Sequence, residues 1–131
     1  YDTHLVFTGV TRNSKKILKN VTENLDKVKP LLETCDEAYY LLSNKSYKCF
    51  LNLMSKSWRQ KKQTSTTIAE NETIQMMDSA LELNDTVLAH RLCGAGNGGF
   101  FLTFSKPGTL TIPYDSVRIR VGTDGVYGKS I

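Results

Sequence analysis

The sequence predicts an α+β domain, a small and largely antiparallel sheet with helices packed on one face. Three observations carry that prediction. "THLVFTG" (3–9) opens the chain with a β-branched and aromatic run; from about residue 14 to 88 the apolar residues recur at helical spacing; from residue 100 the period returns to that of strands. At 131 residues the chain fits one domain, 1–131. Such a length buries a real core but is too short for a complete two-lobed enzyme.

The elements follow in order. The first strand stops at Gly9. Asn13 or Ser14 then caps a helix whose Ile17, Val21, Leu25 and Val28 share one face, with Pro30 ending it. Leu31, Leu32, Cys35, Tyr39 and Leu42 mark a second helical stretch, interrupted by 43–46, and Tyr47, Phe50, Leu51, Met54 and Trp58 a third. "WRQKKQTSTT" (58–67) reads as a polar, basic connector, and Thr67 with Glu70 as a capping box for a helix carrying Ile74, Met77, Leu81 and Leu88. "FFLTF" (100–104) is a buried-type strand, Pro107-Gly108 is a turn, and "TLTIPYDSVRIRVG" (109–122) supplies one or two more strands.

Composition narrows the classes. The formal charge of +4 suits acidic ligands such as phosphate esters, but the basic residues are scattered and serve solubility equally well. They are not interleaved with exposed-type aromatics, so no nucleic-acid partner is expected. No apolar run approaches the roughly 18 residues that span a bilayer, and no membrane partner is expected either. Cys35, Cys49 and Cys93 form no C-x-x-C pair, which points to a reducing, cytoplasmic setting and to no metal site. The four N-x-S/T triplets read as coincidence in a chain rich in these residues. Tyr1 already lies in a strand-like run, so the chain reads as a fragment of something larger.

Three stretches carry candidate chemistry. "RLCGAGNGGFFLTFS" (91–105) holds four of the nine glycines and satisfies G-x-G-x-x-G through Gly94, Gly96 and Gly99. A dinucleotide fingerprint needs a helix directly after the glycines, because its N-terminus binds the pyrophosphate; here Phe100 to Phe104 form a strand. A P-loop needs Gly-Lys-Ser/Thr, and a protein kinase needs downstream Val-Ala-Ile-Lys, His-Arg-Asp and Asp-Phe-Gly motifs; none is present. What remains is a loop entering a buried strand, either a tight packing turn or a cradle of backbone N–H groups for phosphate or substrate. "FTGVTRNS" (7–14) runs from strand to helix start, where Arg12 can grip an anion or lie solvated. In "WRQKK" (58–62), Trp58 either anchors the helix end with the charges in water, or Lys61 or Lys62 faces a ligand.

In this order, Phe7-Thr8-Gly9-Val10-Thr11-Arg12, then Trp58-Arg59-Gln60-Lys61-Lys62, then Gly94-Ala95-Gly96-Asn97-Gly98-Gly99-Phe100, the three stretches resemble the C-terminal domain of the GHMP kinases. The likeness is greatest to the branch of D-glycero-D-manno-heptose 7-phosphate kinase and the L-fucose kinase segments, and it covers roughly residues 3 to 105. It implies a ferredoxin-like C-terminal half of an ATP-dependent sugar or sugar-phosphate kinase. ATP and Mg would serve the complete enzyme, with most of the nucleotide site on an N-terminal kinase half absent from these residues. By that likeness the loop Gly94, Ala95, Gly96, Asn97, Gly98 and Gly99 shapes the phosphate and substrate region. Thr8, Gly9 and Arg12, and more weakly Trp58, Lys61 and Lys62, are candidate substrate contacts.

Two departures stand out: Asn97 replaces a usual glycine, and only 106–115 separates the last two strands, where the family places a helix. The family's Pro-x-x-x-Gly-Leu-Gly-Ser-Ser-Ala motif has no counterpart, and Asp26, Asp36, Asp78 and Asp124 lie in no context that marks a base. His4 and His90 read as structural or exposed. The chain alone is therefore expected to be inactive. The rival reading is a stand-alone ferredoxin-like binding or regulatory module. A broad exposed apolar patch favours the fragment, and a polar surface the module.

Overall fold

The computed structural model describes residues 1–11, 19, 21–94, 96–120 and 122. Among the described residues one strand is followed by three longer helices and then three strands: β1 (Asp2–Phe7), α1 (Lys29–Ser43), α2 (Tyr47–Gln63), α3 (Glu72–Glu82), β2 (Ala89–Leu92), β3 (Phe100–Ser105) and β4 (Ser116–Ile119). The sheet has the order β2-β3-β1-β4, and each neighbouring pair is antiparallel. β1 and β2 therefore run parallel with β3 inserted between them, the split β-α-β arrangement of a ferredoxin-like α+β fold.

Register divides the sheet into two faces. Val6 lies opposite Phe101, and Phe101 opposite Leu92. These three are buried with Ile74, Met77 and Leu81 of α3, Trp58 of α2 and Ile68 of the intervening loop. Each large side chain fully withdrawn from water here contributes about 1.5–3 kcal/mol. The opposite face carries Phe7, paired with Phe100, and Val117, opposite Leu5. Phe7, Phe100 and Val117 are exposed, at 45%, 37% and 52%. α2 packs against edge strand β2, and α1 packs on α2.

Several local expectations change. The helix start at Asn13 or Ser14 and its Ile17 lie outside the described residues. Val21 and Thr22 are helical, but the chain then tightens into a 3-10 turn at Leu25–Lys27, leaving Leu25 exposed. Pro30 sits in the first turn of α1 and so opens a helix. That turn has no intrahelical acceptors for its N–H groups, so the missing donor costs nothing there. The break after Ser43 is as expected, with Lys45 in a left-handed conformation (φ 57°).

"WRQKKQTSTT" is not a solvated connector, since α2 continues to Gln63 and Thr64, Ser65 and Thr67 are buried. Their hydroxyls are satisfied internally: Thr64 Oγ1 donates to Lys61 O at 2.7 Å, and the Ser65 and Thr67 hydroxyls share a bond of 2.8 Å. The cap of α3 is Asn71, whose Oδ1 accepts from the N–H groups of Thr73 (2.9 Å) and Ile74 (3.3 Å); Thr67 and Glu70 do not form the expected box. Leu88 lies beyond α3, bonded through its N–H to Phe104 O.

β2 is an addition to the sequence reading. Ala89-His90-Arg91-Leu92 contains no β-branched or aromatic residue, so it is a strand only because β3 offers it a partner. The link from β3 to β4 turns at Pro107-Gly108, where Thr109 N donates to Lys106 O at 3.2 Å, and forms no helix. It crosses beside α3, pinned by Gly108 N to Asp2 Oδ2 (2.8 Å), Asn84 Nδ2 to Thr111 O (2.9 Å) and Phe7 N to Asp115 O (2.9 Å), with Ile112 and Tyr114 packed on the core.

Candidate functional site

The glycine loop joins β2 to β3, so a strand precedes and follows it and no helix starts directly after the glycines. Gly94 (φ 72°), Gly96 (φ 101°), Asn97 (φ 54°) and Gly99 (φ 89°) all adopt left-handed backbone. Only glycine, and less readily asparagine, does so without much strain. Close approach is decisive at Gly96, where an added Cβ would stand 2.7 Å from Ile68 Cγ2 and 2.8 Å from Ile68 O. The backbone that comes closest to this glycine is the chain's own.

Three other segments hold the loop. From the end of β1, the Thr8 hydroxyl donates to Gly99 O at 2.7 Å and accepts from Val10 N at 3.2 Å, while Gly99 N donates to Val10 O at 2.9 Å. From α2, Lys61 Nζ donates to Gly94 O. From the turn before α3, Ile68 O accepts from Asn97 N at 2.5 Å, and Asn97 Oδ1 accepts from Asn71 N at 2.7 Å. The side chain that departs from the glycine pattern thus fastens the loop to the residue that caps α3. Asn97→Ala is expected to cost about 1–3 kcal/mol in chemical denaturation, because it strands the Asn71 N–H and puts alanine at positive φ. Asn97→Gly relieves only the backbone part of that loss.

Thr8, Gly9 and Lys61 are therefore brought to the glycine loop. A Cβ added at Gly9 (φ 70°) would meet nothing within 4 Å, and with Thr8 this residue lines a cavity of about 450 Å³ between β1, α3 and the segment before β4. Arg12 and Ala95 lie outside the described residues. Trp58 and Lys62 join a different set of contacts. Trp58, 2% exposed, packs edge-on to Phe101 and donates from Nε1 to Asp78 Oδ1 at 2.8 Å. Lys62 Nζ pairs with Asp78 Oδ2 at 2.8 Å and stands 5.2 Å from the Trp58 ring centroid.

His90 Nε2 completes this cluster, donating to Asp78 Oδ1 at 2.7 Å, while His90 Nδ1 lies 3.8 Å from Glu82, which in turn pairs with Arg59 at 3.6 Å. Burial on its own raises the Asp78 carboxyl, but the hydrogen bonds from His90, Lys62 and Trp58 outweigh it and hold the group down at about 2. The helical pattern does signal Asp78, which falls four residues after Ile74 and three before Leu81, on the buried face of α3. An acid at such a position needs partners. His90 carried no such sign, because β2 itself was not legible.

Fold and loop together define a ferredoxin-like domain whose β2–β3 glycine turn is clamped by β1, α2 and the α3 cap. No protein-family model and no curated protein matches this chain. Among solved structures it is similar to the mevalonate kinase of L. major in complex with R-mevalonate, with a TM-score of 0.61 and 18% identity. The match covers 82% of this chain and 34% of that kinase, so the chain spans about a third of that protein's length. At this identity the likeness is one of fold. No described helix is long and apolar enough to cross a membrane.

Proposed function

We propose that this chain is the C-terminal, substrate-side half of a GHMP-type ATP-dependent kinase. The proposed reaction transfers the γ-phosphoryl group to a hydroxyl of a sugar or sugar phosphate, heptose-like by the motif pattern. The observation that carries the reading is the convergence of Thr8-Gly9 and Lys61 on the glycine loop, on a fold that matches a third of a mevalonate kinase. The exposed apolar row of Phe7, Phe100 and Val117 supports a partner half over a stand-alone module, since a free domain rarely leaves such a face open.

Phosphoryl transfer of this kind depends on alignment and on neutralising the developing charge, with ATP supplying the phosphoryl group and magnesium part of the neutralising charge when bound. Among the described residues no group of three or more His, Cys, Asp or Glu side chains is arranged to hold a metal ion. The contribution of the described residues in this proposal is positioning. The Lys61 contact and the Thr8 clamp fix the height and tilt of the loop against which donor and acceptor would close.

The test is acceptor-dependent ADP release by the full natural polypeptide, assayed with D-glycero-D-manno-heptose 7-phosphate, L-fucose, galactose and R-mevalonate. Turnover with a sugar is expected, and Lys61→Ala should lower kcat/KM about tenfold to a hundredfold. Absence of turnover with every hydroxyl acceptor would sink the reading.

A further inference from the structure

We infer that the cavity between α1, α2 and β2 is a binding site for an apolar monocarboxylate, a compound of the fatty-acid type, held at its charged end by Arg91. The inference goes beyond the kinase reading and does not rest on it. None of the described residues lining this cavity belongs to the glycine loop or clamps it.

The cavity follows from the way the two helices meet. On α1 the lining residues Leu31, Thr34, Cys35 and Ala38 recur at i, i+3, i+4 and i+7, and on α2 those from Phe50 to Ser57 repeat that spacing. Each helix therefore offers one continuous stripe to the same space. Three of the four α1 positions carry small side chains, and about 340 Å³ is left unfilled between the stripes. That volume suits a single chain or a single ring.

Arg91 supplies the charge. Side chains alternate along β2, so His90 and Leu92 turn to the core while Arg91, opposite Leu102, takes the other face of the sheet. Its Nη1 stands 3.5 Å from Ser57 Oγ, a hydroxyl on the cavity wall that itself donates to Met54 O at 2.7 Å. The guanidinium is thereby set at the cavity. The same alternation separates it from Asp78 and Glu82, which meet His90 on the core side. Among the described residues Arg91 pairs with no carboxylate.

These features select the ligand. A guanidinium presents five N–H donors in a planar fork, and a carboxylate accepts two of them in parallel. Phe50, Leu53 and Met54 give the walls that take an aliphatic body out of water. Charge at one end and apolar surface along the rest describe an amphipathic acid.

The experiment titrates the full natural polypeptide, labelled with ¹³C-methyl methionine, with octanoate, octanol and butanoate. Octanoate should shift the Met54 methyl signal, assigned by substitution, while Met76 and Met77 of α3, which do not line this cavity, stay in place. Octanol keeps the chain without the charge, and butanoate keeps the charge on a shorter chain. Each should bind at least about tenfold more weakly than octanoate. Arg91→Gln should bring octanoate to within about threefold of octanol, and Ala38→Leu, which fills the cavity from α1, should weaken octanoate about tenfold or more.

No Met54 shift, an equal response at Met76 and Met77, equal binding of octanoate and either control, or an unchanged octanoate-to-octanol ratio in Arg91→Gln would each overturn the site. The Met76 and Met77 signals also report whether each variant is folded. If Arg91→Gln does not fold, Ala38→Leu decides: loss of octanoate binding there supports the site, and unchanged binding overturns it.

Discussion

Asp78→Ala is expected to destabilise the domain at pH 7 by about 3–5 kcal/mol, the loss typical of removing one partner from a buried charged network. One carboxylate accepts from Trp58, His90 and Lys62, each at 2.7–2.8 Å, and only 14% of its side chain is exposed. Alanine leaves a buried indole N–H, a buried imidazole and a half-buried ammonium without their acceptor. Asp78→Asn keeps the shape but loses the charge opposite Lys62, so it should fall between wild type and alanine.

Acid dependence gives the same cluster a second readout. The Asp78 carboxyl is held at about 2 in the folded domain against 3.8 in its ordinary state. A group whose folded value is depressed contributes stability above its unfolded value and loses it as pH falls through the folded one. The contribution, about 2 kcal/mol, is therefore complete above pH ~5 and fades between pH ~4 and pH ~2. Urea denaturation at pH 7 and pH 3 should show the gap between wild type and Asp78→Ala shrinking by about 1 kcal/mol or more at the lower pH. An equal gap at both would mean that Asp78 is not charge-paired in solution.

Gly96→Ala is the second large effect, expected at about 3 kcal/mol or more. Two costs add: alanine at φ 101° is strained, and its Cβ would stand within 2.8 Å of the Ile68 backbone oxygen as well as 2.7 Å from its Cγ2. Gly9→Ala isolates the first cost, because its φ of 70° is also left-handed but open space surrounds it. About 1 kcal/mol is expected there. A Gly96→Ala loss no larger than that at Gly9 would show that the loop yields and that its contact with Ile68 is not tight. Because Ile68 also accepts from Asn97 N, pushing it away should loosen the α3 cap, read as faster amide exchange at Thr73 and Ile74.

The limits of sequence reading can be placed on particular residues. Ile74, Met77 and Leu81 were legible because an amphipathic helix writes its buried face at spacings of three and four. "FFLTF" was legible as a strand by composition, and the glycines as a special backbone because few other residues take left-handed conformations. Pro30 was ambiguous in principle, since a proline marks a helix boundary without saying on which side the helix lies. The Asn71 cap was hidden among Thr64, Ser65, Thr66 and Thr67, all chemically able to cap. Capping depends on which backbone N–H groups are left open, and the fold decides that.

The sequence by itself determined the α+β class, the core face of α3, the break after Ser43 and the positions where backbone must bend left-handed, because each of these is a local property of composition and period. Tertiary structure decided the rest. β2 exists only beside β3, Thr8 and Lys61 meet the glycine loop only when β1 and α2 are docked, and Asp78 gains its partners from an adjacent helix and a strand twelve residues on. These are contacts between segments distant in the chain. Their energies come from geometry that no window of neighbouring residues contains.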